Sequence, residues 1–288
     1  MENNCSWSPK LIVSDVDGTL LDKSEGYSSE FEKLAELIQN YGLPFTLASG
    51  RSPDMIAEIV EKLHITLPVI VSNGAAAITR TGCIWNDYFN PMQIKEAVLT
   101  ANSLDMAIIM DDGEGEAAYR HNAYIQEQIE KYNRYNRFYI PLEREWPDLK
   151  LQKLLIIDPE QEGRIDVVLD KLEPYKDDLN IIRYNDRSAD IMPKTASKGK
   201  ALKRLADQLN IDLEDILVFG DEQNDIEMFD LAGVGAAVQN AVPELKKHAD
   251  YICKHDVAGG VLEAIETFCA LESAKGKEGD GKRVETRG

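Results

Sequence analysis

Residues 11–22 read LIVSDVDGTLLD, and the rest of the chain is organised around them. The apolar run Leu11, Ile12, Val13 has the composition of a strand buried on both faces. It meets two aspartates, Asp15 and Asp17, which the two-residue period of a strand puts on one side. Gly18 follows at once, permitting a backbone turn that a side chain would obstruct, and Thr19 is placed to tie that turn with its hydroxyl. Carboxylates held this close repel each other, so the site calls for a cation, a shared proton or both. A hard divalent ion such as magnesium meets that need with oxygen ligands. A lone D-x-D is commonly a solvated turn, so other parts of the chain must agree before chemistry is read into it. A calcium loop also alternates acids before a glycine. With Gly18 at its sixth position, however, the first falls on Val13 and the twelfth on Ser24, where acids are required.

The chain of 288 residues can bury a substantial core and has room for one large domain or two modest ones. Its 51 acidic against 32 basic residues give a net charge of -19, which disfavours nucleic acid and anionic membrane as partners, because those polyanions are bound by clustered Lys and Arg. An anionic substrate has to be captured by local positive groups. Cys5, Cys83, Cys253 and Cys269 are scattered with no C-x-x-C pair, which argues against a zinc knuckle and a disulfide framework and fits reduced thiols in the cytosol. With no basic segment leading into an apolar stretch at the start, and no run of about 18 apolar residues, a soluble cytoplasmic protein is expected.

After the acidic strand end, apolar residues at Phe31, Leu34, Leu37 and Ile38 mark one face of a helix over 28–41, with Gly42 placed to end it. A second strand-like run at 43–48 (LPFTLA) closes in Ser49, Gly50, Arg51, and Ser52 with Pro53 opens the next helix as its cap and first residue. Ser49 thereby sits at a strand end facing a helix start, where N–H groups and a hydroxyl can bind a phosphate. A third run at 67–71 (LPVIV) leads into Ser72, Asn73, Gly74. Strand, helix, strand, helix, strand with short connections is the pattern of a doubly wound, Rossmann-like parallel sheet, an α/β fold whose ligands bind beyond the carboxyl ends of the strands. Asp15, Asp17, Ser49 and Asn73 all lie at such ends.

From 83 to 185 the texture changes to alternating strand-like and helical runs with no acid pair after a buried strand, which reads as an inserted α+β domain. Its D-D-G-E-G-E run at 111–116 reads as a solvated turn, and Tyr132 and Tyr135 as half-buried packing. Residues 190–193 read as the return toward the first domain, giving a core of 1–82 with 186–272 and a cap of 83–185. Ser197 then caps an amphipathic helix with Ala201, Leu202, Leu205 and Leu209 on its buried side. Lys198 lies in the first turn of that helix, where it opposes the dipole and needs a local anion. The apolar run 216–219 (ILVF) closes in Gly220, Asp221, and Asp225 follows close enough that both acids can face one crevice. Strand-like runs at 233–238 and 250–253 and a closing helix over 261–271 complete the core. The Gly- and charge-rich stretch 273–288 reads as a disordered tail.

The strand ends thus supply three acids for a magnesium ion, a hydroxyl beside a helix start, and one lysine, the parts that phosphoryl transfer needs. At this point the chain resembles the haloacid dehalogenase (HAD) superfamily of phosphatases, and within it the Cof-type branch with an αβ cap. The motifs are DVDGTLL from Asp15, ASGR ending at Arg51, SNGA from Ser72, SKGKAL from Ser197 and GDEQND from Gly220 to Asp225. The resemblance spans residues 11–271, and the cap lies between the second and third catalytic motifs as in that branch. It departs at Thr195 and Ala196, where members often carry glycine-valine. The resemblance implies a magnesium-dependent phosphatase acting on small phosphate esters, sugar phosphates first among them. It makes Asp15 the nucleophile that becomes an aspartyl phosphate and Asp17 the group that protonates the leaving alcohol and then activates water. The chemistry is compatible with this if a metal keeps Asp15 ionised while Asp17, beside like charge, holds a proton. By the same resemblance magnesium is held by Asp15, the Asp17 carbonyl and Asp221. Ser49, with Gly50, and Lys198 hold phosphoryl oxygens, Asn224 assists, Asn73 and Arg51 border the substrate, and Thr19 and Asp225 support the metal shell or Lys198. A phosphomutase with the same motifs, and a magnesium- or phosphate-binding regulator without turnover, are the alternative readings. Neither the natural ester nor the oligomeric state is written in the sequence.

Overall fold

The computed structural model describes residues 7–22, 26–160, 162–184 and 186–269; the stretch 273–288 and the end of the expected closing helix lie outside the described residues. The strands in chain order are β1 (Leu11–Ser14), β2 (Phe45–Leu47), β3 (Val69–Val71), β4 (Ala76–Thr79), β5 (Gly82–Asn86), β6 (Ala107–Asp111), β7 (Glu116–Ala118), β8 (Lys153–Ile157), β9 (Leu179–Tyr184), β10 (Ser188–Pro193), β11 (Ile216–Gly220), β12 (Val234–Ala237) and β13 (Tyr251–Ile252).

The first sheet runs β13-β12-β11-β1-β2, with every pairing parallel. Both β1 and β11 are buried along their whole length, as their unbroken apolar composition demands. The chain winds from β1 out through β2 in one direction, and from β11 out through β13 in the other. The sheet therefore reverses between β1 and β11, and in such folds the crevice beyond that reversal binds ligands. Ser14 pairs with Phe219 in register, so Asp15 and Asp221 leave the two strands side by side. Beyond β2, a single bridge between Ala48 and Ile70 continues the sheet before β3, β4 and β5 turn into an antiparallel hairpin layer.

The helices form where the spacing places them. Ser28 caps Ser29–Tyr41 by accepting from the Phe31 N–H at 3.2 Å, and Gly42 ends it in the left-handed region at φ +61°. Ser52 differs from expectation: it donates to Asp54 Oδ1 at 2.5 Å and makes no capping bond, leaving Pro53 to start the helix.

The second sheet, β7-β6-β8-β10-β9, is antiparallel and packs its own core around Trp146, Leu154, Ile156, Val168 and Ile191. Two expectations about its limits change. β5 pairs with β4 and buries Trp85 in the core of the first sheet, so the chain stays with that layer through Asn86 and does not leave it at Cys83. Asp190 to Pro193, read as a return segment, lies inside β10 between β8 and β9, because Ala189 and Ile191 turn one face of that strand into the second core. Among the described residues Cys83, Cys253 and Cys269 are unpaired, and no helix is long and apolar enough to cross a membrane.

Candidate active site

Lys198 occupies the first turn of the helix Lys198–Leu209, whose N-cap Ser197 accepts from the Lys200 N–H at 3.1 Å. The anion that a lysine at this position requires is doubled. Its Nζ lies 2.5 Å from Asp15 Oδ1 and 2.7 Å from Asp225 Oδ1, and its side chain is 1 % exposed. Burial favours the neutral amine, but the two carboxylates outweigh it and raise the lysine above its ordinary value. What brings the helix close is Gly74, at φ +96°: a Cβ there would sit 2.3 Å from the Ser197 carbonyl oxygen, inside any permitted contact.

Asp221 completes the acidic group. One oxygen from each of Asp15, Asp221 and Asp225 falls within 4.8 Å of the others. Thr19 Oγ1 donates to Asp221 Oδ1 at 2.9 Å, so its hydroxyl serves the neighbouring strand end and not its own turn, which is closed by Gly18 N–H to the Leu21 carbonyl at 2.7 Å. Gly18, at φ +86°, leaves room for this, since a Cβ would lie 2.1 Å from Asp221 Oδ2. Asp225 Oδ2 accepts from the N–H groups of Asp221 and Glu222 at 3.0 and 3.1 Å, which fixes the carboxylate that holds Lys198. Burial raises the carboxyl groups of both Asp15 and Asp221. Lys198 pulls Asp15 back down while Asp225 and Asp17 push it up, and Asp15 and Asp225 push Asp221 up further.

Asp17 departs from the expected state. Its side chain is 51 % exposed and is held by Arg51, with Nε on Oδ2 at 2.9 Å and Nη2 on Oδ1 at 2.6 Å. Burial pushes its carboxyl up, but the Arg51 bonds and charge prevail and hold it below the ordinary value. The residue beside a like charge is thus tied to a cation that the linear sequence does not place there. Ser49, fully buried at the end of β2, accepts on Oγ from the Arg51 N–H at 3.1 Å. Asn73, at φ +52°, donates from Nδ2 to Asp190 Oδ2 at 2.7 Å and accepts on Oδ1 from Asn224 Nδ2 at 3.0 Å.

A cavity of about 320 Å³ stands over these groups, between the first sheet's strand ends and the second sheet. Asp15, Asp17, Gly50, Arg51, Asn73 and Asn224 line it from below. Ser49, Lys198 and Asp225 are buried and not part of that lining, and Asp221 lines a neighbouring depression together with Asp17 and Gly18. The second sheet adds Glu116, Lys153, Tyr184 and Asp190, and the helix Ala123–Tyr132 with the segment after it adds Tyr124 and Arg134, all of them residues that sequence reasoning missed. Tyr135, read as packing, lines the cavity too. The acidic run at 111–116 is the turn between β6 and β7, with Glu114 exposed as expected, but its first residue is not solvated: Asp111 is buried and accepts from Ser72 Oγ at 2.5 Å. Glu116 accepts from Lys153 at 2.9 Å, and Lys153 also donates to the Gly50 carbonyl at 2.6 Å, joining the two sheets over the site. The available signal was Lys153 itself, a lysine opening the buried run LLII, where a charge needs a partner.

The arrangement sets a buried carboxylate against a buried cation, beside a cluster of three acids whose oxygens lie close enough together to hold a metal ion. The haloacid dehalogenase-like hydrolase model matches residues 12–265. The Bacillus subtilis 5-amino-6-(5-phospho-D-ribitylamino)uracil phosphatase YwtE is 25% identical, over 92% of this chain and 100% of its own. The phosphoglycolate phosphatase of Methanobrevibacter smithii is 27% identical, over 89% and 97%. A haloacid dehalogenase-like hydrolase from Bacteroides thetaiotaomicron superposes with a TM-score of 0.76 at 25% identity, covering 90% of this chain and 99% of that one. With strand ends, fold and relatives in agreement, the chain belongs to the haloacid dehalogenase-like hydrolase family and is a phosphatase.

Proposed function

We propose that this phosphatase hydrolyses small phosphate esters, sugar phosphates first among them, with magnesium and through an aspartyl phosphate on Asp15. The observation that carries the reading is Lys198 buried between Asp15 and Asp225 beneath the cavity, with Asp221 alongside. Three carboxylates around one lysine leave an excess of negative charge; burial first, and the neighbouring carboxylates after it, raise the carboxyl groups of Asp15 and Asp221. A divalent cation fits that donor set. Asp15, Asp221 and the Asp17 carbonyl would hold it, and its charge would neutralise the phosphoryl oxygens.

In the first half of the reaction an Asp15 oxygen attacks phosphorus, the bond to the ester oxygen breaks, and Asp17 gives that oxygen its proton. In the second half Asp17 takes a proton from water as the water oxygen attacks phosphorus, releasing inorganic phosphate and restoring the Asp15 carboxylate. Lys198 has a third N–H for a phosphoryl oxygen, and Ser49 with the Gly50 segment is assigned to the phosphoryl oxygens as well. Arg51 must exchange Asp17 for substrate before Asp17 can carry a proton, and an incoming phosphoryl group competes for its guanidinium. The second sheet, which roofs the cavity, is assigned the discrimination among esters.

The test is hydrolysis across a broad panel of phosphate esters, with magnesium and with chelator, read as free phosphate. Asp17→Asn should accumulate phosphate covalently on Asp15 with an activated aryl ester in a rapid quench, and Asp15→Asn should form none. Turnover of the panel in chelator, or covalent phosphate in Asp15→Asn, overturns the reading; transfer to a sugar in place of water makes the protein a mutase.

A further inference from the structure

The loop that follows β2 has three successive carbonyls tied down. Those of Ser49 and Arg51 accept from the N–H groups of Asn73 and Ser72, at 2.9 and 2.8 Å. The middle one, Gly50, accepts from Lys153 Nζ at 2.6 Å, and Lys153 opens β8 in the other sheet. Lys153 is 4% exposed, and its Nζ also donates to Glu116 at 2.9 Å. Burial favours the neutral amine, but Glu116, Asp190 and Asp111 outweigh it, so the group on the Gly50 carbonyl is an ammonium. Charge on the donor makes this one of the stronger hydrogen bonds a carbonyl can accept.

No peptide bond among the described residues is cis, and a trans unit points its carbonyl and its N–H in opposite directions within one plane. Holding the Gly50 carbonyl therefore sets the direction of the next N–H, that of Arg51, which donates to Ser49 Oγ at 3.1 Å. A hydroxyl that accepts there keeps its own hydrogen for another acceptor. Arg51 also carries the guanidinium that grips Asp17. The turn behind the loop leans on the second sheet as well. Ser72 and Asn73 stand at φ +50° and +52°, a region unfavourable to residues with a side chain, and their side chains donate to Asp111 and Asp190 at 2.5 and 2.7 Å.

We propose that Lys153 is a positioning residue for phosphoryl transfer: it fixes the Gly50–Arg51 peptide plane, and through that plane the Ser49 hydroxyl and Arg51. The inference rests on the assignment of this loop to the phosphoryl group, made above, and adds what orients it. A lysine that touched the alcohol of the ester would act on each ester differently. One that touched the phosphoryl group itself would act independently of Ser49.

The experiment measures kcat/KM for alkyl and aryl phosphates, and the inhibition constant of inorganic phosphate, in the wild type, Lys153→Met, Ser49→Ala and their combination. Lys153→Met leaves Glu116 without its counter-charge, so Lys153→Met with Glu116→Gln runs alongside; removing both charges should preserve the fold, checked by thermal unfolding. In both Lys153 variants kcat/KM should fall tenfold or more, by the same factor within threefold for every ester, and the inhibition constant should rise at least fivefold. In the Ser49→Ala background the Lys153 change should cost at least threefold less than in the wild type. Unchanged kinetics, losses that differ more widely among esters, or a loss undiminished in Ser49→Ala overturn the proposal. So does a paired variant that fails to fold, which would make Lys153 a residue of the fold alone. These outcomes leave the assignment of the loop standing, whereas wild-type kinetics and phosphate inhibition in Ser49→Ala remove that assignment, and the inference with it.

Discussion

Arg51 holds Asp17 in a two-pronged grip, Nε on one carboxylate oxygen at 2.9 Å and Nη2 on the other at 2.6 Å. The grip is what keeps the Asp17 carboxyl below its ordinary value against the opposing effect of burial. Without the guanidinium the carboxyl rises, so a protonated Asp17 persists to higher pH. Arg51→Ala should move the alkaline limb of the pH profile of kcat/KM upward by about one unit, with a higher KM. Arg51→Lys, which keeps the charge but not the fork, should fall between. An unmoved limb in both variants would separate Asp17 from proton delivery.

Lys198 is the counter-charge for two buried carboxylates, and its loss leaves them facing each other. Lys198→Met should lower turnover by about 10²–10³-fold, the size of effect seen when one donor to a developing charge is removed. It should also cost about 3–5 kcal/mol of stability in the metal-free protein, as when one partner of a buried pair is taken away. Steady-state kinetics and urea unfolding in chelator check the two parts separately.

Asp221 has the opposite thermodynamic sign. Its carboxyl is raised in the folded chain, so the fold binds a proton that the unfolded chain has already released, and stability falls as pH rises above the ordinary carboxylate pKa of about 4. Asp221→Asn removes that loss. In chelator at pH 7.5 it should unfold at a temperature higher by about 2 °C or more, corresponding to about 1 kcal/mol, while magnesium should no longer raise its midpoint as it does for the wild type. A variant that unfolds earlier in chelator would show that Asp221 is not under electrostatic strain.

Far from the site, Asp158 is fully buried just after β8. It accepts from Arg164 through both Nη2 and Nε, and from the Glu160 N–H at 3.3 Å. Burial pushes its carboxyl up, but Arg164 and the N–H prevail and hold it low. Its contribution is therefore fully present above the unfolded value of about 4, and is lost as pH falls through the lower folded value. Asp158→Asn should cost about 1–3 kcal/mol at pH 7, and that difference from the wild type should shrink by pH 3 in urea unfolding.

Much of the active site was legible because its chemistry is attached to local pattern. Buried apolar runs at 11–13 and 216–219 end in acids, and a parallel sheet brings such ends to one edge whatever the helices between them contain. Lys198 was legible because a cation in a helix's first turn is unfavourable unless an anion lies near it. Other relationships needed the tertiary structure. Nothing within a few residues of Asp17 shows that Arg51 reaches it, and that pairing reverses the protonation expected from neighbouring charge alone. The acidic run at 111–116 reads as solvated until the second sheet folds back and buries Asp111 against Ser72 and Glu116 against Lys153. Asp190 reads as linker until β10 is inserted between β8 and β9, and only there does its carboxylate meet Asn73 and Tyr184. The sequence by itself determined the doubly wound core and the acids and lysine at its strand ends, since buried runs and helix ends are local properties of the chain. Which carboxylate each cation grips, and which side chains of the second sheet face the cavity, are contacts between residues far apart in sequence. Only packing decides them.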